Sequence, residues 1–304
     1  MSVADGSVPA TDGAAGGGTL FVVATPIGNL GDMTLRAIET LRAVPLIAAE
    51  DTRHTHRLLE RHAISTRTTS FHARSGPGRL AALLAHLRAG DDLALVTDAG
   101  TPLVSDPGAD LVAAWAAEGG SVVPIPGASA VLAAVVASGV VGPHWGFEGF
   151  LPRGGRDRRE RLARIAADER ASVLFEAPGR VAATLRDLAT ACGPDRPAAV
   201  CRELTKLHET IERGTLGALA EAAATGRIPA RGEFVLVVGH ATGGTVMPGG
   251  ADAAAADTAD ALEAARADVE RLVASGVARG DAARRVAAAT GLPRRRLYAA
   301  DPHG

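Results

Sequence analysis

Four short, nearly uninterrupted apolar runs, each ended by a turn built from glycine, proline or a carboxylate, constrain this chain more than any other feature. Leu20 to Ala24 stops at Thr25-Pro26-Ile27-Gly28-Asn29, and Leu46 to Ala49 stops at Glu50-Asp51-Thr52-Arg53. Leu93 to Val96 runs into Thr97-Asp98-Ala99-Gly100-Thr101-Pro102, and residues 121–125 run into Pro126-Gly127-Ala128-Ser129. Runs of four or five residues bounded by turn chemistry read as strands. Helical segments are expected between them, over 33–43, 79–89, 107–118 and from Ser129 to about Gly139. Leu80, Leu83, Leu84 and Leu87 form the clearest stripe of 3.6-residue period. Continuously apolar strands alternating with helices predict a mostly parallel sheet covered on both faces. Such sheets bind ligands outside the carboxyl ends of their strands, where these four turns lie.

The pattern restarts after a change of domain at 141–150. A strand is expected at 173–175, a helix at 179–191 and a strand at 198–201. A paired couple of strands follows at 207–213 and 233–238, with a helix at 215–225 between them. This predicts a smaller second α/β unit of mixed strand direction. Residues 241–258, mostly Gly, Ala, Thr and Asp, read as a linker. Residues 259–300 read as a small helical domain with a break at Gly276 and a basic cluster at Arg294-Arg295-Arg296. The first domain spans 19–140 and the second 141–240. Residues 1–18 have five glycines and no basic, apolar signal pattern, so a disordered leader is expected.

The whole chain has 304 residues, 47% of them hydrophobic and only 3% aromatic, which calls for cores of Ala, Val and Leu. A formal charge of -2 supplies no global pull on nucleic acid and leaves only local basic patches for such a role. Cys192 and Cys201 lack a CxxC spacing and read as two reduced thiols. No apolar stretch is long enough to cross a membrane, and a cytoplasmic protein is expected.

The strand-end turns carry the candidate chemistry. Asp98 is placed to accept bonds from an amine or hydroxyls, while Gly100 and Thr101 let a ligand lie against backbone. Asp106, before Pro107-Gly108, reads as the N-cap of the following helix. Ser129 fits a cap or a ligand contact equally. Glu50 to Arg53 fit either the acidic start of a helix or a grip on a polar substrate. His54, His56, His62 and His72 lack convergent spacing, so no metal is assigned. An arginine-rich block spans residues 153–164, Arg202-Glu203-Leu204-Thr205-Lys206 follows a strand, and Arg231-Gly232-Glu233 precedes one. There is no GxGxxG or GxxxxGK[ST] loop, which disfavours dinucleotide and triphosphate chemistry.

Taken in order, Thr25-Pro-Ile-Gly-Asn-Leu30, Ala49-Glu-Asp-Thr-Arg53, Leu95-Val-Thr-Asp-Ala-Gly-Thr-Pro102 and Asp106-Pro-Gly108 form a pattern with four later stretches. Those are Pro124-Ile-Pro-Gly-Ala-Ser129, Glu148-Gly-Phe-Leu-Pro152, Arg202-Glu-Leu-Thr-Lys206 and Gly232-Glu-Phe234. Over residues 19–240 the chain resembles the tetrapyrrole methylase superfamily, and within it the bacterial ribose methyltransferases of small-subunit ribosomal RNA. The resemblance implies a homodimeric enzyme of two α/β domains plus a small helical domain, with S-adenosyl-L-methionine bound in the interdomain cleft. Its implied substrate is the ribose 2′-hydroxyl of a cytidine in the decoding region of 16S rRNA. Cofactor contacts are then expected from Pro26, Gly28, Asp98, Gly100, Thr101, Gly127, Ser129, Phe175, Glu176, Gly232 and Glu233. The charged residues expected to act on the ribose or its flanking phosphate are Glu50, Asp51, Arg53, Glu203 and Lys206. Two departures stand out: Ala73-Arg74-Ser75-Gly76 replaces the polar cluster that relatives carry after the histidine matching His72, and Gly179 stands where relatives tend to have histidine. The rival readings are methylation of a tetrapyrrole or other small molecule, and a non-catalytic RNA-binding role in ribosome assembly.

Overall fold

A computed structural model describes residues 16–241, 263, 265–290 and 297. The chain divides into two compact units, 1–244 and 245–304. The larger unit contains two five-stranded sheets. The first is built from β1 (Thr19–Val23), β2 (Leu46–Ala49), β3 (Thr68–Ser70), β4 (Leu93–Val96) and β5 (Ser121–Ile125), in the order β3-β2-β4-β1-β5. Every pairing in it is parallel, as the continuous apolar strands require. Its helices are α1 (Leu35–Ala43), α2 (Thr52–Arg61), α3 (Pro77–Arg88), α4 (Ala109–Ala117) and α5 (Ala130–Ser138). The alternation of side chains along β1 sorts them onto two cores. Phe21 and Val23 pack with Leu41, Ile47 and Val96, whereas Leu20 packs with Leu87, Leu111 and Trp115 on the opposite face.

The second sheet has the order β6-β7-β10-β8-β9, built from β6 (Trp145–Phe150), β7 (Ala171–Glu176), β8 (Pro197–Arg202), β9 (Thr210–Thr215) and β10 (Phe234–Val238). Only β6 and β7 run parallel; the other pairings are antiparallel, so the sheet is mixed as expected. α6 (Gly155–Ala167), α7 (Val181–Cys192) and α8 (Leu216–Ala224) pack with it. The expected pairing of 207–213 with 233–238 is not formed. β8 lies between β9 and β10 and bonds to both. The helix joining β9 to β10 returns the chain past β8, a choice that local pattern does not encode. β6 was not anticipated either: Gly146 and Gly149 interrupt its apolar run, and the strand is bulged between Phe147 and Gly149. The same holds for the three-residue β3.

α5 joins the two sheets. It is apolar on every side, and Val131 and Ala134 pack with Val173, Ala199, Cys201, Val235 and Val237 of the second sheet. Ile27, from the loop after β1, enters the same cluster. Residues at the carboxyl ends of the first sheet are thereby held against one face of the second.

The smaller unit has helical residues 265–274 and a helix Arg279–Thr290, with Gly276 in the left-handed region between them. Ala265, Val269, Ala282, Ala283, Val286 and Leu297 form its core. The basic cluster 294–296 and Tyr298 lie outside the described residues, as do residues 1–15 of the expected leader and all but residue 241 of the expected linker. Among the described residues no helix is long and apolar enough to cross a membrane.

Candidate active site in the interdomain cleft

The strand order brings three loops together. β4, β1 and β5 are neighbours, so the turns after them meet at one edge. Backbone bonds fasten them. Thr25 N–H donates to Gly100 O at 2.9 Å, and Gly100 N–H donates to Thr25 O at 3.0 Å. Thr25 Oγ1 donates to Thr97 O at 3.1 Å, and Thr101 Oγ1 donates to Ala128 O at 3.1 Å. Gly100 has φ +80°, a left-handed geometry that favours glycine.

These loops form one wall of a cavity of about 350 Å³, with Ile27, Gly100, Thr101, Val104, Asp106 and Ser129 lining it. The opposite wall comes from the second sheet and includes Phe150, Phe175, Glu176, Leu204, Gly232, Glu233 and Phe234. The volume falls in the range of roughly 300–1,000 Å³ usual for small-molecule sites. Its walls are largely apolar, and Phe175 packs edge-on to Phe147 with ring centroids 4.9 Å apart. Among the described residues three carboxylates line the cavity, Asp106, Glu176 and Glu233, and no Lys, Arg or His does.

Of the residues expected to contact a cofactor, Gly100, Thr101, Ser129, Phe175, Glu176, Gly232 and Glu233 line the cavity. Ser129 also caps α5, its Oγ accepting from Leu132 N–H at 3.4 Å. Pro26 and Asp98 instead border a narrow neighbouring hollow with Leu30 and His54. Gly127 supports the wall from behind: a Cβ there would stand 3.0 Å from the Ala24 side chain. Gly28 lets Lys206 cross the loop, because a Cβ at Gly28 would fall 2.3 Å from Lys206 Cγ.

The charged candidates form two groups. At the ends of β2 and β4, Asp51 N–H donates to Asp98 Oδ1 at 3.1 Å, and Asp98 N–H reaches Glu50 Oε2 at 3.4 Å. Burial, partly offset by that N–H bond, raises the Glu50 carboxyl above its ordinary range. Asp51 caps α2: Oδ1 accepts from Arg53 N–H at 2.8 Å, and this bond with the Arg53 guanidinium lowers its pKa. Across the cleft, Lys206 Nζ lies 3.0 Å from Glu203 Oε1 and 2.9 Å from Glu233 Oε1. Glu203 also accepts from Glu233 N–H at 2.9 Å, and that bond, with Lys206, lowers its pKa. Burial pulls the Lys206 ammonium downward, but its bonds to Glu233 and Glu203 overcome this and leave its pKa raised. Glu203 (φ 53°) and Thr205 (φ 66°) are both left-handed, a strain of order 1–3 kcal/mol each that is typical of functional loops. Gly232, at φ +91°, has no room for a side chain, because its Cβ would lie 2.7 Å from the Glu203 carboxylate.

Asp106 is not a helix cap. α4 begins at Ala109, with Gly108 at its N-cap position and no side-chain bond there. Asp106 instead lines the cavity. Burial, followed by the charges of Glu50 and Asp98, pushes its pKa up to about 6. The reading as a cap fails because the left-handed Gly108 redirects the chain between Asp106 and the helix and itself takes the N-cap position. The signal for a site residue was present in the same four letters, Ser105-Asp106-Pro107-Gly108, but composition alone favours the cap. Cys201 also borders the cavity; burial raises its thiol to about 11, so it behaves as an apolar wall. Both cysteines are free. Among the described residues no group of His, Cys, Asp and Glu could hold a metal.

Residues 19–220 match the family model of Tetrapyrrole (Corrin/Porphyrin) Methylases. A protein from Synechocystis sp. called ribosomal RNA small subunit methyltransferase I is 48% identical over 92% of this chain and 96% of its own length. Proteins of the same name from Xylella fastidiosa and Micromonospora olivasterospora are 43% and 44% identical, over 92% and 97% of this chain and 98% and 89% of theirs. Among solved structures, the fold is shared with a cobalt precorrin-4 methyltransferase of cobalamin biosynthesis at TM-score 0.55 and 18% identity, covering 73% of this chain and 94% of that one. It is shared too with uroporphyrin-III C-methyltransferase from Thermus thermophilus, solved in complex with S-adenosyl homocysteine, at TM-score 0.52 and 21% identity, covering 73% and 97%. By its sequence, the chain belongs to the tetrapyrrole methylase family of methyltransferases.

Proposed function

We propose that the protein transfers a methyl group from S-adenosyl-L-methionine to the ribose 2′-hydroxyl of a cytidine in the decoding region of 16S rRNA. The observation that carries this reading is a small-molecule cavity whose charged wall groups, among the described residues, are acidic, set beside charged groups outside it. Glu176 is paired with Arg180 and Glu233 with Lys206, and an acidic, otherwise apolar wall disfavours a phosphate ligand and accepts one that carries positive charge. The near full-length identity to proteins named ribosomal RNA small subunit methyltransferase I supports RNA as the acceptor. It also supports the small ribosomal subunit as the partner.

The bound donor would supply an electrophilic methyl group. The protein must then hold donor and ribose in line, exclude water and manage one proton. Gly100, Thr101 and Ser129 offer backbone and hydroxyl groups on one wall, while Phe175 and Phe234 supply a dry surface on the other. Glu176, fully buried, is itself held by Ala177 N–H at 2.8 Å, Thr184 Oγ1 at 2.6 Å and the Arg180 guanidinium at 3.3 Å, and so is fixed in the far wall. Lys206 and the exposed Arg53 are the cations beside this edge that suit RNA phosphate. A homodimer in the cytoplasm completes the proposal. Its support is the apolar outer face of α5, where Leu132 and Val136 lie one turn apart and are exposed.

The test is transfer of labelled methyl to small-subunit particles and to naked 16S RNA, followed by mapping. Ribose methylation makes one linkage resistant to alkali at a cytidine. Modification of a base, or donor binding without transfer, would refute the proposal.

A further inference from the structure

We propose that Asp106 is the catalytic base that takes the proton from the ribose 2′-hydroxyl as the methyl group is transferred. This rests on the reading of the cleft as a site of ribose methylation. In the step, the O–H bond breaks toward an Asp106 oxygen while the hydroxyl oxygen bonds to the methyl carbon. The sulfur–methyl bond breaks with its electron pair returning to sulfur. The products are a neutral carboxylic acid, a 2′-O-methyl ribose and a neutral thioether, so charge and atoms balance.

The assignment follows from what each carboxylate near the cleft already does. Glu176 is engaged by Ala177, Thr184 and Arg180. Glu233 is paired with Lys206, and Glu203 with Lys206 and the Glu233 N–H. Asp51 caps α2 and binds Arg53, Asp98 accepts from Asp51 N–H, and Glu50 accepts from Asp98 N–H. Asp106 alone among the carboxylates lining the cavity has no hydrogen bond or ion pair among the described residues. A base must be free to receive a proton and within reach of the reacting group.

The backbone holds it there at a cost. Leu103 (φ 71°) and Ser105 (φ 70°) are both left-handed, which is uncommon for residues with side chains. The alternation sends Leu103 into the core of the first sheet and Val104 into the core between the sheets. It also brings Ser105 beside Gly149 of β6, where a Cβ would meet Ser105 Oγ at 3.4 Å. Asp106 is thus carried by a loop clamped to both sheets, which suits a group that must meet a ribose entering between them.

The charges that face it agree with the role. Glu50 and Asp98 stand at the ends of β2 and β4, with His72 near Glu50, and Glu176 and Glu233 line the far wall. Burial, followed by the charges of Glu50 and Asp98, raises Asp106 to about 6, which gives a carboxylate still ionised at neutral pH yet more basic than an ordinary one.

The experiment compares the full-length protein with Asp106→Asn and Glu50→Gln. Single-turnover methyl transfer at saturating donor and small-subunit particles is measured from pH 5 to 9. Binding of S-adenosyl homocysteine is measured by calorimetry. Asp106→Asn should lower the single-turnover rate on the order of 10²–10⁴-fold and leave thioether affinity within about twofold, since nothing that only holds the adenosine is removed. The wild-type rate should fall as pH drops through about 6. That acid limb should vanish in Asp106→Asn and move to lower pH in Glu50→Gln. A weakened thioether affinity with an intact saturated rate would overturn the proposal and make Asp106 a donor-binding residue. An acid limb that Glu50→Gln leaves in place would overturn it also, even were the Asn variant not to fold. Failure of the wild type to methylate ribose would instead sink the proposed function itself.

Discussion

Replacing Asp106 by asparagine is expected to stabilise the protein while disabling it. The carboxyl rises from 3.8 to about 6 on folding, about two units, and at about 1.4 kcal/mol per unit the ceiling is about 3 kcal/mol. The group is only half-buried, so solvent screening reduces the usable figure to about 1 kcal/mol. The sign follows from proton binding. Because the folded state holds this proton more tightly, the contribution to stability is full below pH 3.8 and is lost as pH rises through about 6. Asparagine has no proton to lose. The variant and wild type should therefore unfold alike near pH 4, and the variant should be about 1 kcal/mol more stable at pH 7.5. Over a unit of this size that corresponds to a rise of roughly 2–4 °C in melting temperature. Urea unfolding of both proteins at the two pH values reads this directly, because the other titrating groups cancel in the difference. A variant less stable at pH 7.5, or a gap that does not change with pH, would refute the reasoning and show Asp106 to be a structural ligand.

Three further outcomes are expected. Gly232→Ala should weaken S-adenosyl homocysteine binding at least tenfold in calorimetry, because its φ is +91° and its Cβ would lie 2.7 Å from the Glu203 carboxylate; unchanged affinity would separate this turn from the donor site. Lys206→Met should lower methyl transfer on the order of tenfold or more, since Glu203 and Glu233 lose their shared cation, with a smaller salt dependence of RNA binding than wild type. Arg196→Met should cost about 3 kcal/mol or more of stability in urea unfolding. The buried guanidinium donates to the carbonyls of Gly239, Ile165, Asp168 and Arg170, and all four would be left without it. A loss below about 1 kcal/mol would mean that water replaces it.

Much of this protein was readable from local chemistry. The strands β1, β2, β4 and β5 are short apolar runs closed by turn residues, and both signals depend only on nearest neighbours in sequence. So do the stripe of α3, the left-handed Gly100 and the cap at Ser129. The ordered motifs from Thr25 to Phe234 extended that reading to a family and a cofactor, because several of them occur in register along residues 19–240. The partners across the chain were decided only by packing. Whether β9 lies beside β8 or β10 depends on which pairing buries the helix between them, and that energy belongs to the whole sheet. β6, interrupted by glycines, is a strand because β7 offers it an edge. Asp106 shows the same division most clearly. In sequence it is an acid before Pro-Gly, the usual start of a helix; in the folded protein it lines a cavity, where burial, followed by the charges of Glu50 and Asp98, raises its pKa. The sequence by itself determined which residues could bear chemistry. The tertiary structure decided which of them kept a free carboxylate, because hydrogen-bond partners are assigned only when distant segments meet.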